Sequence, residues 1–343
     1  MTELHVVLPN DIDDPATPSG GNIYDRRVLD GLAATGWSVR ELAVPGGWPE
    51  PSDTERGYLG ATLGAVPDGA LVLLDGLIAS AVPDVLVPEA DRLRLVILVH
   101  MPLDDDAEQV ALSAARAIVT TSDWTRRRLL DRYGLTAERV HVATPGVDPA
   151  RLAPGSPDGT SLICVAAVTP HKGYDVLAQA LAKLADVPWT CLCVGSLTRD
   201  PDFVDRLRRQ LVAEGLSDRV RLVGSQTATA LNDRYAHADL LVLASRGETY
   251  GMVVTEALAR GIPVVATDTN GLPEALGRAP DGSLPGLLVP PDDPAALGGA
   301  LRRWLTDADL RRQLRGSARA RRTTLTGWAV TAGQVAAALG AVT

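Results

Sequence analysis

Glu248 and Glu256, with seven residues between them, are two acceptor-only carboxylates in the segment 245–261. The flanks give that segment its geometry. Residues 238–245 form a continuous apolar run of strand length, and residues 262–268 form another. Between them the pattern predicts a short helix from near Met252 to Gly261, a glycine followed by Ile262-Pro263. A strand, loop, helix, strand unit makes a parallel pair with a right-handed crossover, and ligands of such sheets bind beyond the carboxyl ends of the strands. Glu248 is expected there, with Glu256 about one turn into the helix. The N–H groups of Tyr250, Gly251, Met252 and Val253 open that helix and carry its partial positive charge. Each contact of this kind with a phosphate contributes about 0.3–1 kcal/mol at an exposed site. Carboxylates for hydroxyls on either side of an anion match the layout of a nucleotide sugar: ribose, diphosphate, hexose.

Three more places carry chemistry. A polar loop from Asp11 to Gly21 follows the first strand and ends in Ser19-Gly20-Gly21-Asn22 before a helical stretch. Gly20 and Gly21 let the backbone approach a diphosphate or sugar closely, unless the pair is only a turn capped by Asn22. The apolar strand Val96-Ile97-Leu98-Val99 runs into His100, and the strand 161–167 into Thr169-Pro170-His171-Lys172-Gly173 with a helix from about Tyr174. Only two of the 33 basic residues are lysines, Lys172 and Lys183, which makes a lysine at this turn more telling.

In this order the segments resemble the retaining glycosyltransferases of family 4, the glycosyl transferases group 1, with their E-x7-E signature and GT-B architecture. The resemblance implies that Glu248 meets hydroxyls of the donor sugar and Glu256 the ribose. It implies that Gly20 and Gly21 form the glycine-rich loop, that His100 lies near the acceptor and donor sugar, and that Lys172 neutralises the diphosphate. One departure stands out. The family usually has Gly-Arg a few residues before the lysine, where this chain has Ala166-Ala167. Losing a preorganised cation from the leaving group costs on the order of 3 kcal/mol of transition-state stabilisation unless another group, such as Arg246 or His171, supplies it.

The elements that must position these residues alternate along the whole chain. Candidate strands fall near 4–9, 38–44, 70–75, 94–100, 117–120 and 139–143, then near 161–167, 189–195, 219–223, 239–244, 262–267 and 286–289. Between the two sets, residues 144–159 hold four prolines and three glycines and read as a linker. The expectation is an α/β protein of two Rossmann-like parallel-sheet domains facing a cleft, which is the GT-B arrangement. An acceptor-side domain covers 1–148 and a nucleotide-sugar domain 149–325. A last helix over 326–343, with Trp328, Ala332, Val335 and Leu339 at helical spacing, is expected to pack back toward the first domain. At 343 residues and 46% hydrophobic, the chain can bury two cores.

Composition removes other classes. The formal charge of −9, without basic runs, argues against nucleic acid and leaves no polybasic membrane patch. No apolar stretch approaches the ~20 residues of a membrane span, and the start Met1-Thr2-Glu3 before a short strand is not a signal-peptide pattern. A cytoplasmic protein is expected, with peripheral contact to a lipid acceptor left open. Cys164, Cys191 and Cys193 lie on predicted strands and read as buried thiols, with neither disulfide framework nor zinc spacing. Asp104-Asp105-Asp106 reads as the start of a helix over 107–116 rather than a metal triplet. There is no G-x-G-x-x-G after the first strand, no Walker A and no G-x-S-x-G.

The resemblance implies transfer of a sugar from a nucleoside diphosphate to an acceptor hydroxyl with retention, by front-face attack, with a diphosphate oxygen taking the acceptor proton. The partners are then a nucleotide-sugar donor and an acceptor, with neither metal nor further cofactor. Sugar, base, acceptor and oligomeric state are not assigned by the sequence. Two other classes stay open: a GT-B epimerase or hydrolase of nucleotide sugars, and a catalytically weak homologue that binds nucleotide or supports a partner.

Overall fold

The structure, a computed structural model, describes residues 2–14 and 19–343. Met1 and residues 15–18, part of the loop read from Asp11 to Gly21, lie outside the described residues. The chain divides into two compact units. Among described residues, one holds 2–14, 19–146 and 326–343, and the other holds 147–325.

The first unit is built from β1 (Glu3–Pro9), α1 (Gly20–Ala34), β2 (Ser38–Val44), α2 (Asp53–Gly64), β3 (Leu71–Asp75), α3 (Gly76–Ala81), α4 (Pro83–Leu86), β4 (Arg94–Val99), α5 (Asp106–Ala114), β5 (Ala117–Thr120), α6 (Asp123–Tyr133) and β6 (Val140–Val142). Its sheet is parallel throughout, in the order β2-β1-β3-β4-β5-β6. Both faces are covered, which is why these strands read as unbroken apolar runs. Leu4, Val6 and Leu8 pack with Tyr24, Val28 and Leu32 on one face, while Val7, Val72 and Ile97 pack with Leu59 and Leu112 on the other.

The second unit is built from β7 (Ser161–Val165), α7 (Tyr174–Ala182), β8 (Thr190–Val194), α8 (Pro201–Ala213), β9 (Val220–Leu222), α9 (Ala228–Ala236), β10 (Leu240–Leu243), α10 (Met252–Ala259), β11 (Val264–Thr267), α11 (Leu272–Leu276), β12 (Gly286–Val289), α12 (Pro294–Thr306) and α13 (Ala308–Arg321). Its parallel sheet runs β12-β11-β10-β7-β8-β9, so the strand order reverses between β7 and β10. Residues ending those two strands flank the crevice that such a reversal opens. The buried Asp239 just before β10 accepts from the amides of Ser156 at 2.6 Å and Ser161 at 2.9 Å and pairs with Arg315 at 2.8 Å, which fixes the entry to the unit.

The last helix, α14 (Trp328–Gly340), belongs to the first unit and lies on α1 and β5. Gly31 of α1 permits the approach, since a Cβ there would stand 2.5 Å from that of Ala332. No helix among the described residues is long and apolar enough to cross a membrane.

The twelve strands expected from sequence are all present, and the differences are local. β7 stops at Val165 because the Ala166 carbonyl turns to accept from the Tyr174 hydroxyl at 2.7 Å. β11 begins after Pro263, which has no N–H for the ladder. Gly20 and Gly21 do not end a loop: the Ser19 hydroxyl accepts from Asn22 N at 3.0 Å, so Ser19 is the cap and the glycines are the first two residues of α1. Asp105 caps α5, and Asp104 pairs with Arg128 at 3.0 Å. Cys164, Cys191 and Cys193 are buried and unbridged.

Candidate functional site

In the second unit, β7 and β10 are neighbours, and the segments past their carboxyl ends carry Lys172 and Glu248. After β7 a single turn (Pro170–Lys172) carries Lys172, and Gly173 closes it in the left-handed region at φ 66°. After β10 the chain continues through Ser245 to Glu248. Lys172 Nζ stands 2.7 Å from Glu248 Oε1, and the Ser245 hydroxyl donates to the same oxygen at 2.9 Å. The backbone oxygen of Glu248 accepts from Gly271 N at 2.8 Å, which ties this loop to the start of α11.

Three residues on, Gly251 takes φ 95° and opens α10 with no side-chain cap. The first-turn amides of α10 therefore have no side-chain acceptor. Met252 and Val253 are half-buried there, whereas the Tyr250 side chain is in the core. Glu256, one turn further, is half-buried, and its Oε2 accepts from the fully buried Tyr235 hydroxyl at 3.0 Å. Burial raises its pKa, against the hydrogen bond from Tyr235 and the charge of Arg260. Its other oxygen has no partner among the described residues.

Of the two side chains considered as substitutes for the arginine replaced by Ala167, Arg246 is held elsewhere. Its guanidinium pairs with Asp175 at 2.8 Å and Asp292 at 2.7 Å, and also bonds the Pro170 carbonyl. It stitches the Lys172 turn to the Glu248 loop. His171 is exposed and lies against Gly247, where a Cβ would come within 3.0 Å of its ring.

In the first unit the strand order reverses between β1 and β3, and a second charged group collects there. His100 follows β4, Asp75 ends β3, and Asp25 lies on the buried face of α1. His100 Nε2 is 2.7 Å from Asp25 Oδ1 and 3.8 Å from Asp75 Oδ2. Asp75 also caps α3 through Leu77 N at 2.7 Å. A Cβ on Gly21 would stand 3.4 Å from the His100 ring, an ordinary contact distance, so the first turn of α1 lies against the imidazole. Tyr24 meets the ring edge-on at 5.2 Å and is anchored by its hydroxyl to the Ala143 carbonyl at 2.8 Å.

Burial alone would remove the imidazole's second proton, but the Asp25 carboxylate, by charge and by hydrogen bond, and Asp75 outweigh it and raise the His100 pKa to about 9. Burial, then the charge of Asp25, raises the Asp75 pKa against the opposing effect of His100. The ligand atoms of the three lie within 4.8 Å of one another, the one such grouping among the described residues.

A raised histidine pKa binds an extra proton in the folded state. The contribution, on the order of 3 kcal/mol, is fully present below the unfolded value near 6.5 and is lost as pH rises through about 9. Urea unfolding between pH 7 and pH 10 should show that decline in the parent protein and not in His100→Gln. Parallel curves for the two would refute the charged cluster.

The structure thus brings Lys172 to Glu248 in one unit and Gly21 to His100 in the other. Sequence reasoning missed Asp25, Asp75, Ser245 and Tyr235. Asp75 ends an apolar strand run as His100 does, a signal that could have been read. Asp25 and Tyr235 act from within helices and had none.

The chain is similar to known proteins in sequence and in fold. The model of the glycosyl transferases group 1 matches residues 154–321, and that of glycosyltransferase family 4 matches residues 85–151. A D-inositol 3-phosphate glycosyltransferase of Kineococcus radiotolerans is 36% identical over 251 residues, 66% of this chain and 57% of that protein. The enzyme of that name from Jonesia denitrificans is 32% identical over 62% of this chain and 54% of its own length. The chain spans about half the length of these curated relatives. Among solved structures, a sucrose-phosphate synthase of Thermosynechococcus elongatus aligns over 100% of both chains with TM-score 0.81 at 23% identity. Anabaena HepE, solved in complex with UDP-glucose, aligns over 99% of this chain and 100% of its own with TM-score 0.78 at 18% identity. At these identities the likeness to solved structures is one of fold. The chain belongs to the family 4 glycosyltransferases, the glycosyl transferases group 1, and has their GT-B fold of two Rossmann-like parallel-sheet domains.

Proposed function

We propose that the protein is a retaining glycosyltransferase that moves a sugar from a nucleoside diphosphate to an acceptor hydroxyl without a metal. The observation that carries this is the Lys172–Glu248 pair, 2.7 Å apart at a strand-order reversal and three residues before the uncapped start of α10. Without donor, the cation and the carboxylate satisfy each other. With donor, the diphosphate takes Lys172 and the amides of Gly251, Met252 and Val253, while the sugar hydroxyls take Glu248. Glu256, steadied by Tyr235, offers its unpartnered oxygen to the ribose. Tyr250 contributes backbone rather than its buried ring. Gly20, Gly21 and His100 serve the donor sugar and acceptor side.

Charge on the leaving diphosphate is then met by one lysine and helix amides, positioned before the reaction begins. No protein nucleophile is needed if the acceptor attacks from the leaving-group side and a diphosphate oxygen takes its proton. The weak-homologue reading keeps one specific support: Ala167 replaces an arginine and Arg246 is committed to Asp175 and Asp292.

The test is a thermal-shift screen against UDP, GDP, ADP, TDP and their common sugars, followed by transfer assays with and without EDTA. The first acceptor to try is D-inositol 3-phosphate, from the relatives' name. A ligand at 100 times its Kd stabilises by roughly 2.7 kcal/mol, a readily seen shift. The expected result is a shift with one nucleotide series, lost in Glu256→Ala, and EDTA-insensitive transfer. No shift with any nucleotide would defeat the donor site, and a shift without turnover would favour the weak homologue.

A further inference from the structure

We infer that Asp25 is a positioning residue that holds His100 as an imidazolium with Nδ1–H presented to substrate, so that His100 donates a hydrogen bond and does not act as a base. The inference rests on the transferase reading only for the identity of the substrate oxygen; the state of the ring is a property of the protein alone.

The geometry leaves the imidazole few options. Its Nε2 faces Asp25 Oδ1 at 2.7 Å and Asp75 Oδ2 at 3.8 Å, so Nε2 must carry a proton. The Cδ2 and Cγ edge lies against the backbone of α1 at Gly21, and Tyr24 closes the ring edge-on. Nδ1 is the polar atom left over, with no partner among the described residues. A neutral ring would make Nδ1 a lone-pair acceptor; a charged ring makes it a donor.

Every element packed on the ring bears on that choice. Among the described residues, α1 brings Asp25 and the buried Tyr24, the end of β3 brings Asp75, and Trp328 of α14 packs on Tyr24 at 5.9 Å. The start of α1 brings a partial positive charge that opposes the imidazolium. Two carboxylates within 4 Å, one hydrogen-bonded, outweigh one helix terminus. A charged ring cannot accept the acceptor's proton, which agrees with a diphosphate oxygen in that role. A hydroxyl or phosphate oxygen of substrate is the group Nδ1–H would meet.

The experiment is a histidine ¹⁵N NMR titration of the full chain from pH 5 to 11, with His100→Gln to assign the signals and Asp25→Asn as the isosteric probe. Both His100 nitrogens should be protonated at pH 7.5, and Asp25→Asn should lower the midpoint by about 1–3 pH units. Asp75→Asn is the second variant and should lower it less, which keeps the inference testable if Asp25→Asn folds poorly. In transfer assays Asp25→Asn should reduce kcat at pH 8 with little change in donor KM, and recover toward pH 6 as the ring recharges. A merely structural role would leave the deficit independent of pH.

A neutral His100 with an unprotonated Nδ1 at pH 7.5, or a midpoint that neither variant moves, would overturn the inference even if transfer is observed. So would a titration displaced by one equivalent of Zn²⁺, which would make the three residues a metal site. Absence of turnover with every donor would instead remove the transferase reading, and the titration would still decide the state of His100.

Discussion

Lys172→Ala should lower transfer by about 10²–10³-fold, a loss of roughly 3–4 kcal/mol of transition-state stabilisation, while the protein stays folded. The catalytic loss is expected at the upper end because nothing nearby duplicates the charge. Ala167 has no cation to offer, Arg246 is held by two carboxylates, and the helix amides contribute only partial charge. The effect on stability should be small by comparison. Lys172 is 25% exposed and Glu248 14%, which places the pair between a surface bridge and a buried one. Its truncation should cost about 1–2 kcal/mol, since the Ser245 hydroxyl still serves the same carboxylate oxygen.

The two residues should also uncouple on donor binding. Without donor they satisfy each other, so a double-mutant cycle of Lys172→Ala and Glu248→Gln on unfolding should show coupling of about 1 kcal/mol. With donor bound each residue addresses a different part of the ligand, and the coupling should shrink. A Lys172→Ala protein that transfers within tenfold of the parent would remove the lysine from the leaving-group site. Persistent coupling in the presence of saturating donor would show that the pair does not open.

How much of this was legible depended on whether the cause was local. Strands buried on both faces declare themselves as apolar runs, so 96–99 and 240–243 could be placed without knowing their neighbours. Glycines where the chain must turn sharply, Gly173 and Gly261, marked the end of a turn and of a helix. What joins Lys172 to Glu248 is different in kind. It is the adjacency of β7 and β10, a property of strand order that no window of sequence contains. The same holds for His100. Its place at a strand end was readable, but its partners come from the next strand over and from the phase of a helix 75 residues earlier. Gly20 and Gly21 looked like loop because glycine is poor in helix interiors. At the first turn that cost is reduced by the Ser19 cap, and Gly21 lies there against the His100 ring.

Gly173→Ala should destabilise the second unit by at least about 3 kcal/mol, or a fall in melting temperature of roughly 10 °C. Two costs combine. At φ 66° alanine pays about 1–2 kcal/mol for the left-handed region. The added Cβ would also stand 1.9 Å from the carbonyl oxygen of Ala244 and 2.7 Å from its carbonyl carbon, both backbone atoms that cannot rotate away. Ala244 lies between β10 and Ser245, so relief requires the end of β10 to move relative to the Lys172 turn. That motion separates the cation from Glu248, and the nucleotide-induced thermal shift should therefore be lost together with stability. Gly299→Ala is the control. It sits exposed within α12 with nothing within 4 Å of its would-be Cβ, and should stabilise by about 0.5–1 kcal/mol. Gly173→Ala melting beside the parent would mean that the turn does not approach β10 so closely, and the contact that sets Lys172 against Glu248 would have to be sought elsewhere.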